Sequence, residues 1–274
     1  MMSRRMIISL VLVAGIALLA GTYVVSHPIP VVLMFHSIIE QPTGLDVSPQ
    51  QLKTFLASAR ASDRPLLFTT DSSDRSIYDE FSFPVREHGF SAILFLMPSM
   101  IGRNGMLTWD QVRELDRAGV VIASHTLTHP WLPDLSCDEL RCELCASRQM
   151  IEAEIGHAVM AMAYPYGAFD ERVKQVARQC GYTAAHSTAP GRRIADDDPF
   201  AIKRVTITET TVVNPFLRWL ALSSYWVTAR EVLLAFVPVE VPRKPNDWSY
   251  EQWRKTVRPD ELCRKTEAMG VEGH

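Results

Sequence analysis

Short apolar segments alternate along this chain with segments whose apolar residues keep helical spacing. The apolar segments indicate strands buried on both faces, because their apolar residues are continuous and do not alternate with polar ones. This order predicts an α/β fold with a parallel sheet or barrel, in which functional side chains collect where strands end. The predicted strands are 29–36, 65–70, 91–97, 120–123, 159–164, 182–186 and 204–208, and the predicted helices are 46–61, 75–88, 108–118, 136–155 and 170–179.

The N-terminus combines positive charge with a long apolar run. Arg4 and Arg5 precede the apolar run 6–25, which as a helix of about 1.5 Å per residue spans roughly 30 Å, the thickness of a bilayer core. A cleaved signal peptide is the alternative, although its apolar region is usually shorter and 23–28 is a poor cleavage site. We expect residues 1–27 to form a cytoplasmic stub and a single-pass anchor in the cell membrane. The arginines then place the main domain outside the cytoplasm, in the periplasm or beyond the cell.

Composition narrows the class of protein further. Hydrophobic residues make up 47% of the chain and charged residues 22%, which predicts a packed core. The net charge of −3 leaves no basic excess to hold a phosphate backbone, so a nucleic acid is not expected as a partner.

We expect the main domain at residues 28–210 and a C-terminal helical extension and tail at 211–274. The helix predicted at 214–236 contains two arginines, which argue against a second membrane segment.

The five cysteines are an odd number, so at least one has no partner within the chain. Cys142 and Cys145 form a C-x-x-C sequence, but they lie within a predicted helix and no second pair follows at zinc-ribbon spacing. We therefore interpret them as small buried or half-buried helix residues.

Two histidines follow the strand predicted at 120–123. Residues 124–130 read S-H-T-L-T-H-P, with the imidazoles at His125 and His129. Imidazoles four residues apart in a tight turn lie about 6 Å from each other on one side and can share a metal ion. The spacing alone also arises by chance, but its place after a strand favours a metal site.

Two other turns follow predicted strands. Residues 163–167 read A-Y-P-Y-G, which alone indicates a proline–glycine turn with packed tyrosines. Residues 69–74 read T-T-D-S-S-D, which alone indicates the N-cap of a helix.

Taken together and in this order, the three turns resemble the motifs of the polysaccharide deacetylase family, also called the NodB-homology or carbohydrate esterase family 4 domain. The family motifs are T-F-D-D-G, H-[ST]-x-x-H-P, and R-x-P-Y-G or A-Y-P-Y-G. The resemblance covers about 29–208, and 32–36 (V-L-M-F-H) resembles the opening strand of exported deacetylases acting on poly-β-1,6-N-acetylglucosamine. It implies a distorted (β/α) barrel of the NodB-homology type.

The resemblance also implies an activity and a set of site residues. The family removes acetyl groups from N-acetylated sugars with one divalent metal, usually zinc. His125 and His129 match metal-ligand positions, and Asp71 matches the catalytic base. The residues that match the sugar-binding motif are Tyr164, Pro165, Tyr166 and Gly167.

Three further residues are given roles in the site, without a match of the side chain to a catalytic position of the motifs. The backbone N–H of Tyr166 is a candidate oxyanion donor. His186 ends a predicted strand and is a candidate general acid, although it matches no motif and an ordinary packed or exposed histidine fits equally well there. His36 follows the opening strand and could line the pocket.

The first motif departs from the family pattern. The metal-binding aspartate of the family maps to Ser72, and Arg75 and Tyr78 downstream support this register. A serine hydroxyl is a far weaker ligand for a divalent ion than a carboxylate. Three outcomes stay open: Asp71 becomes the ligand and is lost as base, Asp74 reaches the ion, or the site is inactive.

The resulting hypothesis is a metal-dependent hydrolase that deacetylates an extracytoplasmic amino-sugar polysaccharide. The alternative is a catalytically silent, membrane-anchored protein that binds glycan or serves in assembly on the same fold, which the serine at position 72 motivates. A third hypothesis, an amidase with a substrate other than a sugar, differs only in what it binds.

Overall fold

The computed structural model describes residues 30–62, 65–188, 198–222, 261 and 263–264. The predicted anchor at 1–27 lies outside the described residues, as does the part of the predicted helix 214–236 beyond residue 222. Among the helices in the described ranges, none has both the length and the apolar character needed to cross a bilayer.

The described part of the chain contains one seven-stranded sheet in which every strand pairing is parallel. Its spatial order is β6-β5-β4-β3-β2-β1-β7, and it curls into a half-barrel consistent with the NodB type. The continuous apolar runs thus correctly predicted parallel strands buried on both faces. The strands are β1 (Val31–Phe35), β2 (Leu66–Thr70), β3 (Ser91–Leu96), β4 (Val121–Ser124), β5 (Ala161–Ala163), β6 (Ala184–His186) and β7 (Val205–Thr206).

Helices follow most of the strands, as the alternating pattern predicts. Their N-caps agree with the sequence: Ser48, Thr108 and Ser136 each form a capping box with the residue three positions later. The helices are α1 (Pro49–Arg60), α2 (Phe83–Glu87), α3 (Trp109–Arg117), α4 (Cys137–Arg141), α5 (Ser147–Ile155), α6 (Glu171–Gln179), α7 (Glu209–Val213) and α8 (Pro215–Leu222).

Two of the predicted helices contain a wider, π-helical turn. Ile77–Ser82 precedes α2, whose Pro84 has no N–H to donate to a carbonyl four residues earlier. Cys142–Ala146 separates α4 from α5 within the helix predicted at 136–155. Such π-helical turns are frequent at functional sites. Through Glu143, the second of them contacts residues 124–130, called the histidine turn below.

A disulfide bond joins Cys145, in the second π-helical turn, to Cys180 directly after α6. Cys142 and Cys145 are half-buried helix residues as interpreted, and the bond of Cys145 is an addition to that interpretation. The C-x-x-C spacing gave no hint of the partner, because the bonded cysteines are 35 residues apart in sequence. A cross-link closing a loop of this length stabilises a fold by about 3–4 kcal/mol in the chain-entropy model.

Candidate active site

The predicted site residues lie at the carboxyl ends of five of the six neighbouring strands β1 to β6. Because parallel strands all end at one edge, side chains that follow them meet there. His36 follows β1, Asp71 follows β2, His125 follows β4, Tyr164 follows β5, and His186 ends β6.

The two histidines of the predicted metal site are in contact. The ring centroids of His125 and His129 lie 4.6 Å apart in a T-shaped arrangement. Nδ1 of His125 lies 2.9 Å from the carbonyl oxygen of Ala163. Since a carbonyl only accepts, Nδ1 carries the proton and Nε2 is left as the ligand nitrogen. Nε2 lies 3.9 Å from Oδ2 of Asp71, so the histidine turn and the end of β2 converge as predicted.

Burial determines the charge of this histidine pair. It lowers the pKa of His125, and it lowers the pKa of His129 well below the usual value, with the neighbouring imidazole adding to the effect. Both rings are therefore neutral at neutral pH, which is the form that binds a metal ion.

A residue of the π-helical turn Cys142–Ala146 stabilises the histidine turn through hydrogen bonds. Thr126 and His129 have positive φ angles of 66° and 57°, which cost about 1–3 kcal/mol each and need support from their surroundings. Glu143 supplies it: its carboxylate accepts the N–H of Thr128 at 2.8 Å and the hydroxyl of the same residue, and its backbone carbonyl accepts the N–H of Leu127 at 3.0 Å. Sequence reasoning missed Glu143, because a glutamate in a helix usually indicates a solvent-exposed position.

Asp71 forms a buried, bidentate ion pair with Arg204. The Nη1–Oδ1 and Nη2–Oδ2 distances are 2.5 and 2.6 Å, and the arginine side chain is 0% exposed. Burial alone would raise the pKa of Asp71, but the guanidinium outweighs it and the pKa is lowered. Nε of Arg204 also donates to the carbonyl of Ser187 at 2.9 Å, which fixes its plane. The sequence placed Arg204 only as the start of the last strand, without a role.

Ser72 and Asp74 of the first motif each accept a backbone N–H two residues later in the chain. Oγ of Ser72 accepts the N–H of Asp74 at 3.1 Å and lies 3.4 Å from Oγ of Ser37. The carboxylate of Asp74 accepts the N–H of Ser76 at 2.8 Å, as an Asx turn does. This contact agrees with the N-cap interpretation of the motif, and a role of Asp74 as a metal ligand stays a prediction.

A divalent ion fits this donor set only in part. Two neutral imidazoles converge, which suits zinc or cobalt. Within the described ranges, however, no group of three His, Cys, Asp or Glu side chains forms a ligand set. The carboxylate nearest to the pair, that of Asp71, is bound by Arg204. The residues that would hold an ion are therefore His125 and His129, and no carboxylate of the described residues completes the set as a third ligand.

The A-Y-P-Y-G segment divides into a buried and a half-buried part. Tyr164 is 0% exposed, stacks on Phe169 and donates its hydroxyl to the carbonyl of Phe200 at 3.0 Å. It therefore packs in the core and does not face a groove, unlike the role predicted for it. Tyr166 is half-buried, has φ of 57°, and packs its ring against His129 at 4.6 Å. Pro165 and Gly167 are both buried and are the first and last residues of a 3₁₀ turn.

Gly167 cannot carry a side chain without moving its surroundings. Its φ is +70°, and a Cβ would lie 2.7 Å from the backbone nitrogen of Thr188. We expect Gly167→Ala to lower the free energy of unfolding by about 2–4 kcal/mol, from strain and overpacking together. Gly102→Ala is the matched control, because φ is +82° but a Cβ there would meet nothing within 4 Å. Urea unfolding of both variants tests this, and equal losses would contradict the steric argument.

Two further histidines were predicted near the site. His36 is half-buried, its Nδ1 has no hydrogen-bond partner among the described residues, and burial lowers its pKa while the negative charge of Asp71 opposes the shift. His186 is buried, with its ring 4.9 Å from that of Phe95. Their roles as pocket wall and general acid stay predictions.

The parallel half-barrel, with a histidine pair and a carboxylate at its carboxyl edge, is consistent with the NodB-homology class of α/β domain. Residues 58–185 match the family model for polysaccharide deacetylases, so the resemblance seen in the motifs is confirmed over that stretch of the chain.

Curated relatives agree with this family. The chain is 26% identical over 163 residues to YxkH, a Bacillus subtilis protein classed with the polysaccharide deacetylases, covering 59% of this chain and 58% of that one. It is also 26% identical over 113 residues to chitin deacetylase 2 of Saccharomyces cerevisiae, covering 40% of this chain and 34% of that one. The chain thus spans only part of both relatives.

Solved structures show the same fold. The Streptococcus pyogenes deacetylase PplD, determined in complex with acetate, superposes with a TM-score of 0.66 at 19% identity, over 71% of this chain and 98% of that one. IcaB from Ammonifex degensii gives 0.62 at 19% identity, over 72% and 98%.

Proposed function

We propose that this protein is a metal-dependent hydrolase that removes acetyl groups from an extracytoplasmic amino-sugar polysaccharide. The observation that carries the proposal is the convergence of the two neutral imidazoles with Asp71, whose Oδ2 lies 3.9 Å from Nε2 of His125. A divalent ion bound there would supply Lewis-acid chemistry, acidifying a water molecule and polarising the acetyl carbonyl.

The residues of the chain would each do one part of the reaction. Asp71 is the base that takes the proton of the attacking water, and the paired guanidinium of Arg204 keeps it ionised and oriented. The backbone N–H of Tyr166, in a left-handed turn beside His129, would donate to the developing oxyanion. With only two imidazoles as strong ligands, we expect the ion to be held weakly and lost to a mild chelator.

The proposed location and substrate have separate support. A disulfide such as Cys145–Cys180 persists in oxidising compartments outside the cytoplasm, which agrees with the export predicted from residues 1–27. The likeness to a chitin deacetylase supports a polymer of N-acetylated amino sugars as the substrate. The membrane as partner rests on the N-terminal sequence alone.

Release of acetate tests the activity. Wild-type protein incubated with β-linked N-acetylglucosamine oligomers and zinc or cobalt is expected to release acetate. His125→Ala should reduce the release to background by removing a ligand, and Asp71→Asn should reduce it by about 10²–10⁴-fold by removing the base. No difference between wild type and His125→Ala would contradict the proposal.

A silent glycan-binding protein is the second candidate, favoured by the absence of a third ligand among the described residues. Metal analysis of the purified chain distinguishes the two. A stoichiometric ion that disappears in His125→Ala supports the hydrolase, and glycan binding without an ion or acetate release supports the silent protein.

A further inference from the structure

Trp131 lies two residues after His129 in the sequence but has no part in the chemistry proposed above. It follows Pro130 and precedes the 3₁₀ turn Leu132–Asp134. Its ring centroid is 5.9 Å from that of Tyr166, and the ring of Tyr166 is in turn 4.6 Å from that of His129. The tryptophan is therefore two ring contacts away from His129.

This row of rings becomes less buried along its length. His125 is 2% exposed, whereas Tyr166 and Trp131 are half-buried. A molecule whose reactive group reaches the imidazoles would therefore have its adjoining part near the tryptophan. A half-buried indole presents apolar surface to that part.

The backbone on both sides of Trp131 is held by hydrogen bonds. Arg172 donates from Nη2 to the carbonyl of Pro133 at 2.8 Å and from Nη1 to the carbonyl of Leu135, which fixes the segment after Trp131 to α6. On the other side, Glu143 holds the histidine turn through Thr128. A backbone segment that is ordered before binding loses little conformational entropy when a ligand arrives.

The chemistry of an indole surface identifies what it would bind. β-linked pyranoses with equatorial substituents have a face of C–H groups that packs on a flat aromatic ring, while their hydroxyls stay in water. A small amide without a ring presents no such face.

We propose that Trp131 forms a second sugar subsite, which binds the pyranose ring next to the one that carries the reacting acetyl group. This inference rests on the proposed function, because it takes the histidine pair as the position of the acetyl group. It makes the substrate a chain of at least two β-linked N-acetylhexosamine units.

Binding as a function of oligomer length tests the subsite without catalysis. The full chain is titrated by calorimetry in chelator-containing buffer with N-acetylglucosamine and its β-1,4- and β-1,6-linked trimers. In at least one series we expect the trimer to bind the wild type about tenfold more tightly than the monomer. Trp131→Ala should abolish this gain and leave monomer binding within about twofold. Trp131→Phe should keep part of the gain, because it retains an aromatic face.

Trp219→Ala is the control for loss of a tryptophan, since Trp219 is 53% exposed on α8. It should bind trimers as the wild type does. Equal affinity for monomer and trimer, an unchanged gain in Trp131→Ala, or no binding to wild type would each overturn the subsite.

The subsite and the proposed function fail in different ways. Trp131-dependent binding without acetate release would leave the subsite standing and refute the hydrolase. Acetate released equally from monomers and trimers, by both wild type and Trp131→Ala, would support the hydrolase and refute the subsite.

Discussion

Ser72→Asp is expected to raise the affinity for zinc by at least about 10- to 100-fold, the range that outer-shell changes alone produce. The substitution adds a charged carboxylate at the position where the family has its ligand aspartate, and a carboxylate binds a divalent ion far better than a hydroxyl. The new side chain can still accept the N–H of Asp74, as Oγ of Ser72 does. Acetate release should rise in parallel with metal occupancy.

The control for this prediction is Ser72→Asn, which has nearly the same shape as aspartate but no charge. We expect it to leave zinc affinity close to that of the wild type, as measured by competition with a chromogenic chelator. Equal affinities for Ser72→Asp and wild type would show that position 72 does not complete the ligand set. In that case Asp71→Asn, tested in the wild-type background, should abolish metal binding if Asp71 is the ligand.

Features with a local signal were predictable from the sequence. Continuous apolar runs located the strands, and Ser48, Thr108 and Ser136 located helix N-caps, because strand burial and capping boxes depend on residues close together in the chain. The convergence of His125 with Asp71 was also predictable, because both follow parallel strands.

Features that depend on distant partners were not predictable. Arg204 binds Asp71 across 133 residues, and Cys145 bonds to a cysteine 35 residues away, so no local pattern marks either pair. The role of Glu143 depends on a π-helical turn that has no clear sequence signature. Tyr164 was placed at the sugar site by its motif, but only the packed structure shows that its ring lies in the core.

Arg204→Met is expected to lower the free energy of unfolding by about 3–5 kcal/mol at neutral pH, because it leaves the buried carboxylate of Asp71 without its counter-charge. Chemical denaturation measures this loss. The double variant Asp71→Asn/Arg204→Met should be less destabilised than the sum of the single variants, since the two groups interact directly. Additive losses would contradict a direct ion pair.

The dependence of stability on pH separates loss of the ion pair from loss of packing. In the wild type, Arg204 lowers the pKa of Asp71, so the pair's contribution is present above the unfolded-state pKa of about 3.9 and is lost as the pH falls below about 4 towards the folded pKa. Without the guanidinium, burial raises that pKa, so in Arg204→Met the unfolding free energy should instead fall as the pH rises above about 4. The acidic limb of kcat/KM should move to higher pH for the same reason. Arg204→Lys keeps a positive charge and should retain the wild-type sign of the pH dependence, whereas parallel stability curves for wild type and Arg204→Met would show that the arginine acts through packing alone.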